Sequence, residues 1–248
     1  MDQRFVKRHD YDSRFWVFVW LYIVVVVMVG FSRPVHDRFF DGVQEPAAIA
    51  LQVHVWSFGA WLVLLALQAR LAATRQMDWH RKFGLAMLPL AAIMIVSAGI
   101  SEFRFQKADM ADGGDASFTA ISIPYLLPFC ILVPLAWIAR TRPDAHKRLI
   151  LMATASICAG AHLRTASAID PTLFWEATTF LPRFVIAFGG ALLIIGFGIA
   201  YDYMTRGAVH PVYKVGTPIL ATLYLVATWA YGSEGYAAFA RSVIGSIG

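Results

Sequence analysis

Seven uncharged, mostly apolar runs, at 15–31, 47–69, 83–101, 116–139, 149–163, 184–201 and 215–232, leave this 248-residue chain few ways to fold. A backbone in hydrocarbon must satisfy its own hydrogen bonds, so only helices and closed barrels span a bilayer. Most of the runs approach the roughly 20 residues that a spanning helix needs. The fifth is too short unless its helix starts near His146, carries Arg164 inside it and runs to Ile169, where Asp170-Pro171 supplies a stop. A content of 58% hydrophobic and 15% charged residues agrees with burial in lipid rather than in water. The expected fold is therefore an all-α integral membrane protein, with seven transmembrane helices in one bundle. Its spans fall at about 15–31, 47–69, 83–101, 116–139, 146–169, 183–202 and 215–232. No linker or low-complexity stretch divides it, so a single domain is expected. The first span lacks a small-residue cleavage site and reads as a retained helix.

Charge sets the expected orientation. Segments 1–14, 70–82, 140–148 and 203–214 hold 14 of the 21 Lys and Arg residues, which places them on the cytoplasmic side, with the amino terminus inside and the carboxyl terminus outside. The alternate loops are acidic, through Asp37, Asp41, Glu45, Glu102, Asp109, Asp112 and Asp115. The net charge of +5 thus reports topology in a bacterial inner (cytoplasmic) membrane, with the lipid bilayer as partner and no nucleic acid. Cys130 and Cys158 both fall inside spans and form no metal or disulfide motif. The acidic loop Asp109-x-x-Asp112-Gly-Gly-Asp115 lacks calcium-hand spacing and reads as a solvated turn.

Histidine is the residue to explain. His54 and His162 each lie seven residues inside the outer end of a span, about 10 Å into the apolar slab. A titratable group there is costly unless it is paired or employed. Ser57, Phe58, Trp61 and Gln68 share the helix face of His54, and Arg164 lies close to His162. Two neutral imidazoles from facing helices suit the axial positions of a b-type haem, with Arg164 near a propionate. Small surfaces around Ala153–Ala161 and at Gly189, Gly190, Gly196 and Gly198 admit either a flat macrocycle or close helix packing. A zinc or copper ion held by His54 and His162 with Glu102 or Asp170 is a further possibility. The ordinary alternative has both histidines hydrogen-bonded to neighbouring helices and Arg164 snorkelling to the outer headgroups.

A weak repeat adds a second histidine pair. Asp78-Trp79-His80-Arg81-Lys82 introduces the third span and Asp144-Ala145-His146-Lys147-Arg148 the fifth. Each fits a helix start in which Asp caps the backbone and the basic pair faces the headgroups. His80 and His146 would complete a path across the membrane, as ligands or proton relays. His146 and His162 are 16 residues apart, however, and so about 160° apart around their helix. They should face different neighbours, which argues against two haems stacked on one face.

His54, Trp61, Gln68, His80-Arg81, Gly84 and His146-Lys147-Arg148 together resemble a group of uncharacterised bacterial multi-pass membrane proteins, in which an outer histidine precedes a cytoplasmic His-Arg block. More distantly the arrangement is similar to transmembrane b-type cytochromes. That resemblance covers about residues 46–165. It implies electron transfer or haem handling through haem b, with His54 and His162 as ligands and His80 and His146 less secure. Quinone is a candidate partner on this reading. An accessory subunit of a larger membrane complex is the alternative, supported by eight Trp and nine Tyr and by an apolar carboxyl tail that could lie on the outer surface or dock to a neighbour. A membrane zinc hydrolase is disfavoured because the last run has no paired histidines. A retinal protein is disfavoured because that run has no central lysine.

Overall fold

A computed structural model describes residues 5, 8–40, 48–170 and 172–246. Asp41, Glu45, Pro171 and the first residue of the second run lie outside the described residues. The elements are α1 (Asp12–Phe39), α2 (Ile49–Ala73), α3 (Met77–Ala111), α4 (Thr119–Ile138), α5 (Pro143–Ile169), α6 (Thr172–Trp175), α7 (Phe180–Arg206), α8 (Pro211–Tyr231) and α9 (Glu234–Ser246). A 3-10 turn, Ala139–Thr141, joins α4 to α5. No strand occurs among the described residues.

Helices α1 to α5 and α7 are each long and apolar enough to cross a membrane, and α8 with α9 makes a seventh if that pair, bent by 87°, is counted as one span. Most helices outrun their apolar stretches, because charged flanking residues continue the hydrogen-bond ladder past the last apolar turn. α3 is the extreme case: 35 residues, or about 52 Å, against a hydrocarbon core of about 30 Å. Its last turns project beyond the apolar slab, and α9 folds against them, burying Ala240 and Ile244 beside Phe103, Met110 and Ala116. The carboxyl tail thus docks on its own chain. Pro124, Pro128 and Pro134 do not break α4, which runs unbroken from Thr119 to Ile138.

The hub is α5. It is the least apolar of the six single spans and the most enclosed, because small residues on every side let neighbours approach its backbone. Gly30 of α1 illustrates this: a side-chain carbon there would stand 2.5 Å from the Ala161 carbonyl oxygen. Trp61 of α2 reaches α5 through a 3.3 Å hydrogen bond from its indole nitrogen to Thr154 Oγ1. Trp61 is buried with Ser57 and Gln68 on the polar face anticipated for α2.

Two of the four α7 glycines make room for side chains of this chain. Gly190 seats the His162 ring and Gly198 seats the Tyr213 ring together with Leu151, so a Cβ at either position would collide with those side chains. The missing side chains are filled by residues of this chain. Gly190→Ala is therefore expected to cost about 1–3 kcal/mol through overpacking, read as a lowered Tm of the detergent-solubilised protein, whereas Gly196→Ala, with open space around it, should be silent.

Candidate functional site

The described residues of the four basic segments gather at one end of the bundle, but not as a lipid-facing fringe. Arg81 and Lys82 are exposed as anticipated. Lys147 and Arg148 turn inward, which corrects the reading of both basic pairs as headgroup contacts. Arg148 is 2% exposed; its Nε donates to Asp202 Oδ2 at 2.7 Å, a second guanidinium nitrogen donates to Asp202 Oδ1, and a third donates to the Asp144 carbonyl oxygen at 2.6 Å. Arg206 donates to Asp12 Oδ1 at 2.9 Å, and Lys147 to Asp12 Oδ2 at 3.3 Å. Tyr201 adds its hydroxyl to Asp12 Oδ1 at 2.7 Å. The network joins the first turns of α1 and α5 to the last turn of α7. Beside it lies a cavity of about 10 Å³, room for about one water, lined in part by Lys147, Arg148, Tyr201, Asp202 and Tyr213.

Neither Asp78 nor Asp144 caps its helix through its side chain. Asp144 instead accepts from His210 Nε2 at 3.2 Å. His210 Nδ1 accepts the Val212 backbone N–H at 3.1 Å and caps α8. That nitrogen must be unprotonated to accept, so the proton sits on Nε2 and the imidazole is neutral. Burial, reinforced by the Arg148 guanidinium, holds the His210 pKa below its ordinary value. Sequence spacing carried a signal for this network: Asp144 with Arg148 and Asp202 with Arg206 are each four residues apart, one helical turn. That these turns meet was not readable from it.

The structure brings His80 and His146 together. Their ring centroids are 6.4 Å apart with planes at 77°. Each ring is oriented through Nδ1, which donates to a backbone carbonyl: Gln68 at 3.3 Å for His80, Ala136 at 2.8 Å for His146. A neutral imidazole held this way keeps a lone pair on Nε2, the state in which histidine ligates a metal, and the backbone carbonyl is a usual outer partner of such a ligand. Gln68 also donates from Nε2 to the His80 carbonyl at 3.0 Å, and its own Oε1 is buried without a partner. The repeated Asp-x-His motif thus ends in one shared site.

His54 and His162 have separate surroundings. His162 Nδ1 donates to the Cys158 carbonyl at 2.8 Å and Nε2 accepts from the Tyr22 hydroxyl at 2.9 Å, while the ring lies in the gap left by Gly190. Both nitrogens are used, so His162 does not fit an axial haem position as it stands. Its neighbours on α1 and α7 differ from those of His146, as their angular separation on α5 requires. His54 packs on Phe58 of its own helix, ring centroids 4.3 Å apart, and its Nδ1 is buried without a partner. Arg164 is exposed, with its guanidinium 3.9 Å from the position of a Cβ at Gly160 and 5.0 Å from the centroid of the Phe31 ring. Glu102 accepts from Gln106 Nε2 and from Ser122 Oγ, each at 2.6 Å. Asp170 is turned to Thr172 rather than to a histidine. Among the described residues no group of three or more His, Cys, Asp or Glu side chains is placed to hold a metal ion. Both cysteines are free.

Asp202→Asn leaves Arg148 as a buried charge with a weakened partner and is expected to cost about 3–5 kcal/mol, measured as loss of Tm or of folded yield. Acidification should weaken the same end of the bundle. Stability contributed by neutral His210 is complete above the ordinary histidine pKa of about 6.5 and is lost as pH falls toward its lowered folded value, by at most about 1.4 kcal/mol per pH unit. His210→Asn, which retains a capping side chain, should flatten the Tm profile between pH 7 and 5. A profile unchanged by that substitution would mean that another group sets it.

The chain matches no protein-family model, no curated protein and no solved structure.

Proposed function

We propose that this chain is a bacterial inner-membrane protein holding a transition-metal centre between His80 and His146, as a b-type haem iron or as a bare ion, for electron transfer or metal handling at the basic, cytoplasmic end of the bundle. The observation that carries the reading is the paired imidazole geometry. Two rings from different helices, each bonded through Nδ1 to a backbone carbonyl, have their centroids 6.4 Å apart, near enough for both to reach one metal ion if their Nε2 atoms turn toward it. Two imidazoles supply half of a tetrahedral set or the two axial positions of a haem. The remaining donors would be porphyrin nitrogens, water or the unpartnered amide oxygen of Gln68. A haem iron or a copper ion held there would supply one-electron chemistry, whereas zinc would not. The protein's own part is to fix the two tautomers, to hold the rings at the mouth of the bundle and to shield them behind α3 and α5.

The basic segments support the orientation, with the amino terminus inside. The excess of Lys and Arg at the end that carries His80 and His146 supports a centre on the cytoplasmic side.

The test is an absorption spectrum of the detergent-purified protein, oxidised and then reduced, combined with metal analysis, for the wild type and for His80→Ala, His146→Ala and His162→Ala. Haem bands that disappear in the first two variants and persist in the third assign a cytochrome. One equivalent of copper, zinc or iron without haem bands, lost in the same two variants, assigns a bare ion. Protein made with ample haem and metals that carries neither would sink the proposal, as would a centre that depends on His162 but not on His80.

A further inference from the structure

A second polar layer lies one to two turns inside the opposite, acidic end, and its hydrogen-bonding inventory does not close. Three buried side-chain atoms there have no partner among the described residues: His54 Nδ1, Ser101 Oγ and Gln106 Oε1. Gln106 is completely buried, so water outside the bundle does not reach it. Arg164, within electrostatic reach of His54 and Glu102, has no hydrogen bond or ion pair among the described residues. The Glu102 carboxylate is already engaged by Ser122 and Gln106. What is left over is mainly donor capacity: a guanidinium with five N–H groups, a hydroxyl and an imidazole. A cation within a spanning helix that lacks a direct partner is costly to keep.

Beside this layer, α2 and α3 leave a groove of about 380 Å³ with apolar walls that include Val53, Ile93, Val96 and Ile100. Val53 adjoins His54 and Ile100 adjoins Ser101 in the chain, so the groove reaches the level of these two residues. A ligand that suits both features has an acidic oxygen head and a long apolar tail. We propose that this layer binds a carboxylate- or phosphate-bearing amphiphile, with Arg164 as the counter-ion and with His54 and Ser101 as additional hydrogen-bond partners. The Glu102 carboxyl competes with the same head group for Arg164 and limits its affinity. The proposal stands whether or not His80 and His146 hold a metal.

Protein in neutral maltoside micelles would be titrated with oleate, with dioleoyl phosphatidate and with oleyl alcohol, and Tm followed. Oleate or phosphatidate should raise Tm in a saturable way and oleyl alcohol should not; the more effective of the two acids identifies the source of the head group. Arg164→Gln should leave the ligand-free Tm unchanged or higher and weaken the acid at least tenfold. Glu102→Gln should tighten it severalfold. Protection by oleyl alcohol equal to that by oleate, retention of binding in Arg164→Gln, or weaker binding in Glu102→Gln would each overturn the proposal. A large loss of ligand-free Tm in both Arg164→Gln and Glu102→Gln would do so too, since it would mark the two residues as a structural ion pair.

Discussion

The guanidinium of Arg148 against the carboxylate of Asp202 is the interaction on which the basic end of this bundle depends. Burying two charges is repaid only when the geometry is good and the remaining donors find acceptors, and both conditions hold here: the pair is doubly hydrogen-bonded, and the last guanidinium nitrogen is taken by the Asp144 carbonyl. Because Arg148 sits on α5 and Asp202 on α7, the pair fixes how far these helices slide past each other. Arg206, Asp12 and Lys147 carry the same constraint to α1, and His210 carries it to α8 through Asp144. The cluster has three carboxylates, three cations and a neutral imidazole. It therefore leaves no net charge buried, which is what makes such a network tolerable beside lipid.

Helix α5 makes this possible. Its alanine, glycine and serine surface brings α1, α4 and α7 close, and the voids left by Gly190 and Gly198 of α7 are filled by His162, Tyr213 and Leu151. Packing thereby settles the state of His162: with the ring wedged against α7, its two nitrogens meet the Cys158 carbonyl and the Tyr22 hydroxyl. His80 and His146 are held more loosely, each by a single Nδ1 bond to a carbonyl, which leaves Nε2 available. His162 thus differs in chemistry from His80 and His146 because packing engages both of its nitrogens but only Nδ1 of each of theirs.

The long helices were legible because apolar run length and terminal prolines act locally. The apolar runs located every long helix, and the inclusion of Arg164 in a fifth helix reaching Ile169 followed from the need for length. The polar face of Ser57, Trp61 and Gln68 was legible from three-and-four spacing, and so was the divergence of His146 and His162 around α5. Which glycine faces which ring was not legible, because Gly190 and His162 are 28 residues apart and their contact depends on the rotation of two helices about their axes. The expectation that Lys147 and Arg148 face lipid failed for the same reason: a basic pair beside a helix start looks identical whether or not a carboxylate from a distant helix end faces it.

By itself, the sequence determined that this chain forms long apolar helices of membrane-spanning length and that its basic segments gather at one end, because hydrocarbon leaves the backbone no other partner and alternate helix ends fall on alternate sides. Only the tertiary structure decided which ionisable groups meet: Arg148 with Asp202, Asp144 with His210, and His80 with His146. Those pairings depend on helix rotation and depth, which are set by contacts between residues far apart in the chain, and no local pattern of residues encodes them.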